Sequence, residues 1–282
     1  MFNALKRIRH TLGLFRNLHK YGGVKYVRTA YPQVGDLLKD KGVLITGGGS
    51  GIGLAIAKRF VTCGARVIIT GRNETKLKNA VNDIASENVK YIVWDVSDIA
   101  TLSDRLNECI QLFALDIDIL VNNAGVQPLK FWGQVDETEW YRIYDTNLKG
   151  AFFLTQELTK RWTQTRFDGY KKVLNISSQG GFVGATYPYR MAKWDIRGFT
   201  EGLAKELISK DIIVNAIAPG VVKTDMQRFS LQQGDNLYTN QNPVHRVCLP
   251  EEIAELALFL CGDTGNFIVG QTIVCDGGYT LR

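Results

Sequence analysis

The apolar run Val43-Leu44-Ile45, the turn Thr46-Gly47-Gly48-Gly49-Ser50-Gly51-Ile52-Gly53 and the segment Leu54 to Cys63 follow one another without a spacer. The first reads as a short buried strand. In the last, Leu54, Ile56, Ala57, Phe60 and Val61 recur at helical spacing. Glycines let the backbone turn tightly and approach another group closely. The helix that opens there turns free N–H groups and a partial positive charge toward the turn. Strand, glycine turn and helix in that order are the context of a dinucleotide site.

The alternation continues downstream. Arg66–Thr70, Lys90–Trp94, Ile117–Asn122, Lys172–Ile176, Ile212–Ile217 and Thr272–Cys275 read as further strands, making seven with Val43–Ile45. Helical stretches are expected near 51–63, 74–86, 98–114, 137–164, 188–209 and 250–261. Strands alternating with helices require crossovers between parallel neighbours. The predicted fold is therefore α/β: a doubly wound, mostly parallel seven-stranded sheet of Rossmann-like type. The 282 residues, 45% of them hydrophobic, suffice for one such core. Residues 41–282 are expected to form a single dinucleotide-binding and catalytic domain, and 1–40 a basic, amphipathic N-terminal helical arm.

Charge separates those two parts. Residues 1–28 carry seven Lys/Arg and no acid, which leaves 27 of the 34 bases against all 28 acids for the rest. The near-neutral body argues against a nucleic-acid face. In the arm, Phe2, Leu5, Ile8, Leu12, Phe15 and Leu18 step by three or four. Three readings stay open for it: packing on its own domain or a sister subunit, peripheral contact with an anionic membrane surface, or a targeting peptide. No run of about 18 apolar residues is present, so a spanning helix is not expected. Five cysteines (Cys63, Cys109, Cys248, Cys261, Cys275) lack metal-ligand or paired spacing. No metal is expected, and the location expected is a reducing one, the cytoplasm.

The chemistry-bearing residues lie at strand ends. Tyr189 and Lys193 stand four apart at the start of an expected helix and so share one face. An ammonium beside a phenol lowers its pKa and makes it a usable general acid/base. Ser177-Ser178 closes one strand, Asn122-Asn123-Ala124-Gly125 another, and Pro219-Gly220 follows a third, while Asn147 falls inside a long expected helix. Each has a bland reading as turn former or cap; five together in this order do not.

The pattern Thr46 to Gly53, Asn122 to Gly125, Asn147, Ser178, Tyr189/Lys193 and Pro219-Gly220 resembles the short-chain dehydrogenase/reductase family over about residues 41–282, closing Asp276-Gly277-Gly278 included. The resemblance implies an oxidoreductase that moves a hydride between a nicotinamide cofactor and a carbonyl or secondary alcohol. It implies a tetrad in which Tyr189 donates or accepts the proton, Lys193 lowers its pKa and holds the nicotinamide ribose, Ser178 bonds the substrate oxygen, and Asn147 holds a relay water. Ser178 is preferred over Ser177 because adjacent side chains of extended backbone point to opposite sides. The cofactor contacts implied are Gly47, Ser50, Gly51, Ile52, Gly53, Arg72, Asp95, Val96, Asn123, Gly125, Tyr189, Lys193, Pro219, Gly220, Val222 and Thr224. Ile68-Ile69-Thr70-Gly71-Arg72 ends its strand without an acid, and an arginine there accommodates the 2′-phosphate of NADP, so NADP is expected ahead of NAD. A homo-oligomer, tetramer or dimer, is implied, with Phe152, Phe153, Trp194 and Phe199 available for subunit or core packing.

Substrate identity is expected in roughly 179–187 and 223–248, where Gln179, Phe182, Tyr187, Met226, Phe229, Leu237, Tyr238 and His245 are pocket candidates. The expected substrate is a small polar ketone, a sugar or a 3-oxoacyl group. The alternatives are a non-catalytic cofactor-binding protein or a membrane-recruited scaffold of the same fold.

Overall fold

A computed structural model describes Leu12, Arg16 and residues 35–224 and 236–281. The seven strands are β1 (Gly42–Thr46), β2 (Arg66–Gly71), β3 (Val89–Val93), β4 (Ile119–Asn122), β5 (Lys171–Ile176), β6 (Ile212–Pro219) and β7 (Thr272–Cys275). They form one all-parallel sheet in the order β3-β2-β1-β4-β5-β6-β7. The helices are α1 (Gly51–Thr62), α2 (Glu74–Ile84), α3 (Leu102–Phe113), α4 (Glu137–Tyr144), α5 (Gly150–Trp162), α6 (Pro188–Leu207) and α7 (Pro250–Cys261). The expected boundaries hold to within a few residues.

Period-two alternation along the strands builds two cores. Val43, Ile45, Val67 and Ile69 face α1, α2 and α7 with Ile56, Phe60, Leu77 and Ile253. Leu44, Ile68, Leu120 and Val214 face the other way, onto Leu106, Leu154, Leu158 and Ala204 of α3, α5 and α6. Strand order reverses between β1 and β4, and there the crossovers diverge and leave a crevice at the strands' carboxyl ends.

Buried polar groups tie α5 and α6 to the centre of the sheet. Asn122 and Asn175 are register partners on β4 and β5. The Asn122 amide donates to Thr155 Oγ1 of α5 (2.8 Å) and to Asn175 Oδ1 (2.9 Å). The Asn175 amide donates to Thr200 Oγ1 of α6 (2.9 Å), whose hydroxyl in turn donates to Ile196 O. Buried amides must find partners, so this chain sets the seating of both helices.

One expected helix is not continuous. Residues 137–164 form α4, a π turn over Asp145–Lys149, and α5. The cause is local. Asn147 is bonded sideways to Val126, accepting from its N–H (2.7 Å) and donating to its carbonyl (3.0 Å). Gly150 lies flush on the backbone of Val96, where a Cβ would sit 2.7 Å from the carbonyl oxygen. Holding both contacts takes one extra residue in the winding.

Of the arm, Leu12 and Arg16 are helical and exposed; the remaining readings for 1–34, like Met226 and Phe229, lie outside the described residues. Among the described residues no helix is long and apolar enough to cross a membrane, no group of His, Cys, Asp and Glu could hold a metal ion, and none of the five cysteines is in a disulfide.

Thr200→Val should leave the buried Asn175 amide without its acceptor and cost about 1–3 kcal/mol of stability. Urea unfolding of the two proteins measures it, and an unchanged midpoint would remove the network from the account of α6.

Candidate active site

The glycine turn is latched to the loop after β4. Thr46 Oγ1 accepts the N–H groups of Asn123 and Ala124, each at 3.0 Å. The Asn123 amide donates back to Thr46 O and Gly47 O, also at 3.0 Å. Gly47 has φ +67°, and at Gly53 a Cβ would fall 2.5 Å from both Asn123 Nδ2 and Gly47 O. Side chains are excluded there because two backbones meet. At the N-terminus of α1, Ser50 provides no side-chain cap and the first turn holds no acid. Those N–H groups therefore face the crevice and suit an anion.

The crevice is a cleft of about 410 Å³ running from Gly47, Ser50, Gly51 and Ile52 to Ser178, Tyr189 and Lys193. Asn123 and Gly125 line one wall, and Pro219, Gly220, Val222 and Thr224 the other. A cradle of uncapped amides opening into a long polar cleft fits a dinucleotide, its pyrophosphate at the turn and its far end beside Tyr189.

Ser178 lies two residues past β5 and is the N-cap of a short 3-10 turn, its Oγ accepting from Gly180 N (3.1 Å). Its hydroxyl lies close enough to the Tyr189 hydroxyl to favour the phenolate. Ser177 turns the other way and donates to Lys193 O (2.9 Å). Gly181, whose Cβ would meet that same carbonyl at 2.6 Å, lets the loop settle on α6. Lys193 is buried, with Nζ donating to Ile176 O (2.8 Å) and lying 5.9 Å from the centre of the Tyr189 ring.

Electrostatics correct one expectation. The sequence suggests that Lys193 lowers the pKa of Tyr189. In the structure burial raises it above the usual phenol range, Ser178's hydrogen bond pulls weakly the other way, and the charge of Tyr187 adds to the rise. Burial also brings Lys193 down to about 8. Lys193 loses its charge near 8, before a phenol of raised pKa ionises, and so gives the phenolate no stabilisation. Tyr189 is thus protonated at neutral pH.

Several other expected residues lie apart from the main cleft. Arg72 follows β2 beside the turn, largely exposed, with Nη1 3.9 Å from Asp95 Oδ2. Asp95 also accepts from Ser97 N and Oγ. Val96 and Asn147 line a small adjoining cavity with Thr46 and Gly150. Gln179 and Tyr187 line the cleft. Phe182 instead stacks under Arg197 (4.4 Å) on another surface, Leu237 packs with Val221 and Val247, and Tyr238 stacks on His245. These three are thus not part of the cleft wall. Val183 and Gln241, within the two stretches expected to hold the substrate, line it without having been singled out, and Gln127, Arg190 and Tyr279 line it from outside those stretches. Of these last three, only Arg190, adjacent to Tyr189, carried a signal. Tyr279 arrives because Asp276 accepts from Gly278 N and Thr280 N (2.9 Å each) and folds the terminus back.

Residues 47–280 match the family model described as Enoyl-(Acyl carrier protein) reductase. The chain is 35% identical over 245 residues to the 3-oxoacyl-[acyl-carrier-protein] reductase FabG of Aquifex aeolicus (strain VF5), covering 86% of this chain and 98% of the relative. It superposes with TM-score 0.78 and 29% identity on 3-ketoacyl-(acyl-carrier-protein) reductase from Brucella melitensis complexed with NADH, covering 86% of this chain and 99% of that one. A solved short chain dehydrogenase/reductase family protein matches with TM-score 0.77 and 31% identity, covering 87% of this chain and 99% of that one.

Lys193 sets a pH test. Its folded pKa lies below the ordinary 10.5 of the unfolded chain. Below about pH 8 both states are charged and the burial penalty is full; between pH 8 and 10.5 the unfolded chain binds more protons, so stability rises with pH. The penalty is roughly 3 kcal/mol. Lys193→Met should therefore gain stability over the wild type at pH 7 and lose most of that gain by pH 10, as read by urea unfolding at both pH values. A difference independent of pH would show that Lys193 is not charged and desolvated in the native state.

Proposed function

The chain belongs to the short-chain dehydrogenase/reductase family, and on that premise we propose that it transfers a hydride between NADP(H) and a carbonyl or secondary alcohol, with Tyr189, Lys193, Ser178 and Asn147 as its catalytic set. The observation that carries this reading is the meeting of the Tyr189 and Ser178 hydroxyls over buried Lys193, in the same cleft as the glycine turn.

The nicotinamide, when bound, supplies or accepts the hydride. The residues that would hold the cofactor are Gly47, Ser50, Gly51, Ile52 and Gly53 at the turn, Asn123 and Gly125 on one wall, and Pro219, Gly220, Val222 and Thr224 on the other. Asp95 and Val96 would hold the adenine end and Arg72 the 2′-phosphate. Lys193 has N–H groups beyond the one given to Ile176 O for the ribose hydroxyls. In reduction, protonated Tyr189 gives its proton to the substrate oxygen while Ser178 donates a hydrogen bond to that oxygen. Two fixed donors stabilise the charge that develops there. Lys193, near its own midpoint, can return a proton to Tyr189. The amide of Asn147 grips Val126 from both sides, which leaves its main-chain carbonyl as the atom for a relay water.

The substrate class we propose is a small polar ketone, a sugar or a 3-oxoacyl group; the relatives named as 3-oxoacyl-[acyl-carrier-protein] reductases support the last. We also place the protein in the cytoplasm as a homo-oligomer, tetramer or dimer. Exposed Trp140, Phe152, Phe153 and Trp194 on α4, α5 and α6 support self-association. The arm expected over 1–40 is shorter than that at its inner end, since Leu38 is buried in the core beside Phe60 and its N–H donates to Cys63 O (2.8 Å), and the charge of 1–28 supports peripheral contact with an anionic membrane.

Tyr189→Phe should abolish turnover while NADPH still binds, as measured by fluorescence titration beside a carbonyl-reduction assay; wild-type turnover in that variant would sink the mechanism. Arg72→Ala should weaken NADPH about tenfold or more and NADH much less, since a charge-assisted contact contributes about 1.5–3 kcal/mol. Equal losses for the two cofactors would take Arg72 off the phosphate.

A further inference from the structure

The cleft is lined by two cations, Lys193 and Arg190, and among the described residues by no aspartate or glutamate. Lys193 is held at the cleft floor by Ile176 O. Arg190 is different. It is half-buried, follows Tyr189 directly, and sits in the first turn of α6. Its stem runs past Ser178: a Cβ on Gly180 would lie 3.3 Å from Arg190 Cγ and 3.4 Å from Ser178 Oγ. Its guanidinium then turns to the lip of the cleft, donating from Nη1 to Gly184 O (3.0 Å) and lying 5.3 Å from the centre of the Tyr187 ring.

That arrangement differs from that of the arginines paired with glutamate, although Arg66, Arg166 and Arg197 likewise pair with no carboxylate of the described residues. Arg59, Arg142, Arg161 and Arg246 each face a glutamate, at 2.5, 2.8, 3.0 and 2.6 Å. No carboxylate of the described residues pairs with Arg190. Its single carbonyl contact leaves most of the five-donor fork free, and that fork matches a carboxylate or phosphate. The first turn of α6 adds the same sign, since Tyr187 gives no side-chain cap and no acid lies in that turn. Gln127, Gln179 and Gln241 complete a polar wall with no charge to compete.

We propose that Arg190 recognises an oxyanion on the substrate, so that the carbonyl reduced at Tyr189 belongs to a compound carrying a carboxylate or phosphate group near the reacting carbon. The inference rests on the proposed function and names the substrate class for that site. Arg190 binds and orients; it takes no part in the proton or hydride transfer. A partly desolvated guanidinium favours the charged member of a matched pair because burying that charge elsewhere has no compensating partner.

The test is titration calorimetry of two ketone pairs on the full chain saturated with NADP⁺, where no reduction occurs. The pairs are acetoacetate against methyl acetoacetate, and dihydroxyacetone phosphate against dihydroxyacetone. In at least one pair the charged ketone should bind about tenfold or more tightly than its neutral partner, and the pair that does so says whether carboxylate or phosphate is read. Arg190→Gln should bring that ratio close to one, and Arg190→Lys should keep part of it. Were Arg190 only a brace for the 184–187 segment, Arg190→Gln would weaken both members of a pair alike and leave the ratio standing. A ratio unchanged in Arg190→Gln, charged and neutral ketones bound equally by the wild type, or no binding of either charged ketone overturns the proposal. Failure of NADP⁺ to bind in the preceding loading titration would instead overturn the proposed function.

Discussion

The site depends on one latch between two strands. β1 and β4 are neighbours in the sheet but their crossovers leave on opposite faces, so nothing in the sheet itself fixes the loops that follow them. Thr46 and Asn123 do. One hydroxyl collects two backbone N–H groups and one amide returns to two backbone carbonyls, all at 3.0 Å. The Thr46 and Asn123 groups are partly or fully buried, where a hydrogen bond left unmade is costly. The glycine turn thus has its geometry before anything binds, and a preorganised cradle loses little freedom on binding.

The other half of the site hangs on α6. That helix carries Tyr189, Arg190 and Lys193, and it is registered to the sheet through Thr200, Asn175, Asn122 and Thr155. A polar chain of this kind specifies position better than apolar packing does, since each member has a required partner. Seating α6 this firmly makes it possible to hold a lysine in a buried place. The same burial shapes the reactivity: it raises Tyr189 and brings Lys193 near 8. The acid is thereby kept protonated while its neighbour stays close to exchanging a proton, which suits reduction near neutral pH.

Most of the fold was legible because its signals are local. Strand limits at Arg66, Ile212 and Thr272 follow from β-branched runs, and the α1 start follows from the glycine turn. The π turn was not legible. Asn147 is compatible with an ordinary helix, and only its bonds to Val126, across a connection of about twenty residues, widen the winding there. Likewise Phe182, Leu237 and Tyr238 look like pocket residues from their place in the chain. Their side chains satisfy themselves on Arg197, Val221 and His245 instead.

By itself the sequence determined the order of strands and helices, the glycine turn and the identities of the residues able to move a proton, because periodicity and residue chemistry are properties of neighbours in the chain. The tertiary structure alone decided how those residues behave. Burial, which no spacing encodes, reversed the expected shift on Tyr189. The folding of distant segments into one wall brought Gln127, Gln241 and Tyr279 to the cleft. That no carboxylate of the described residues pairs with Arg190, a fact about space rather than order, separates it from Arg59, Arg142, Arg161 and Arg246.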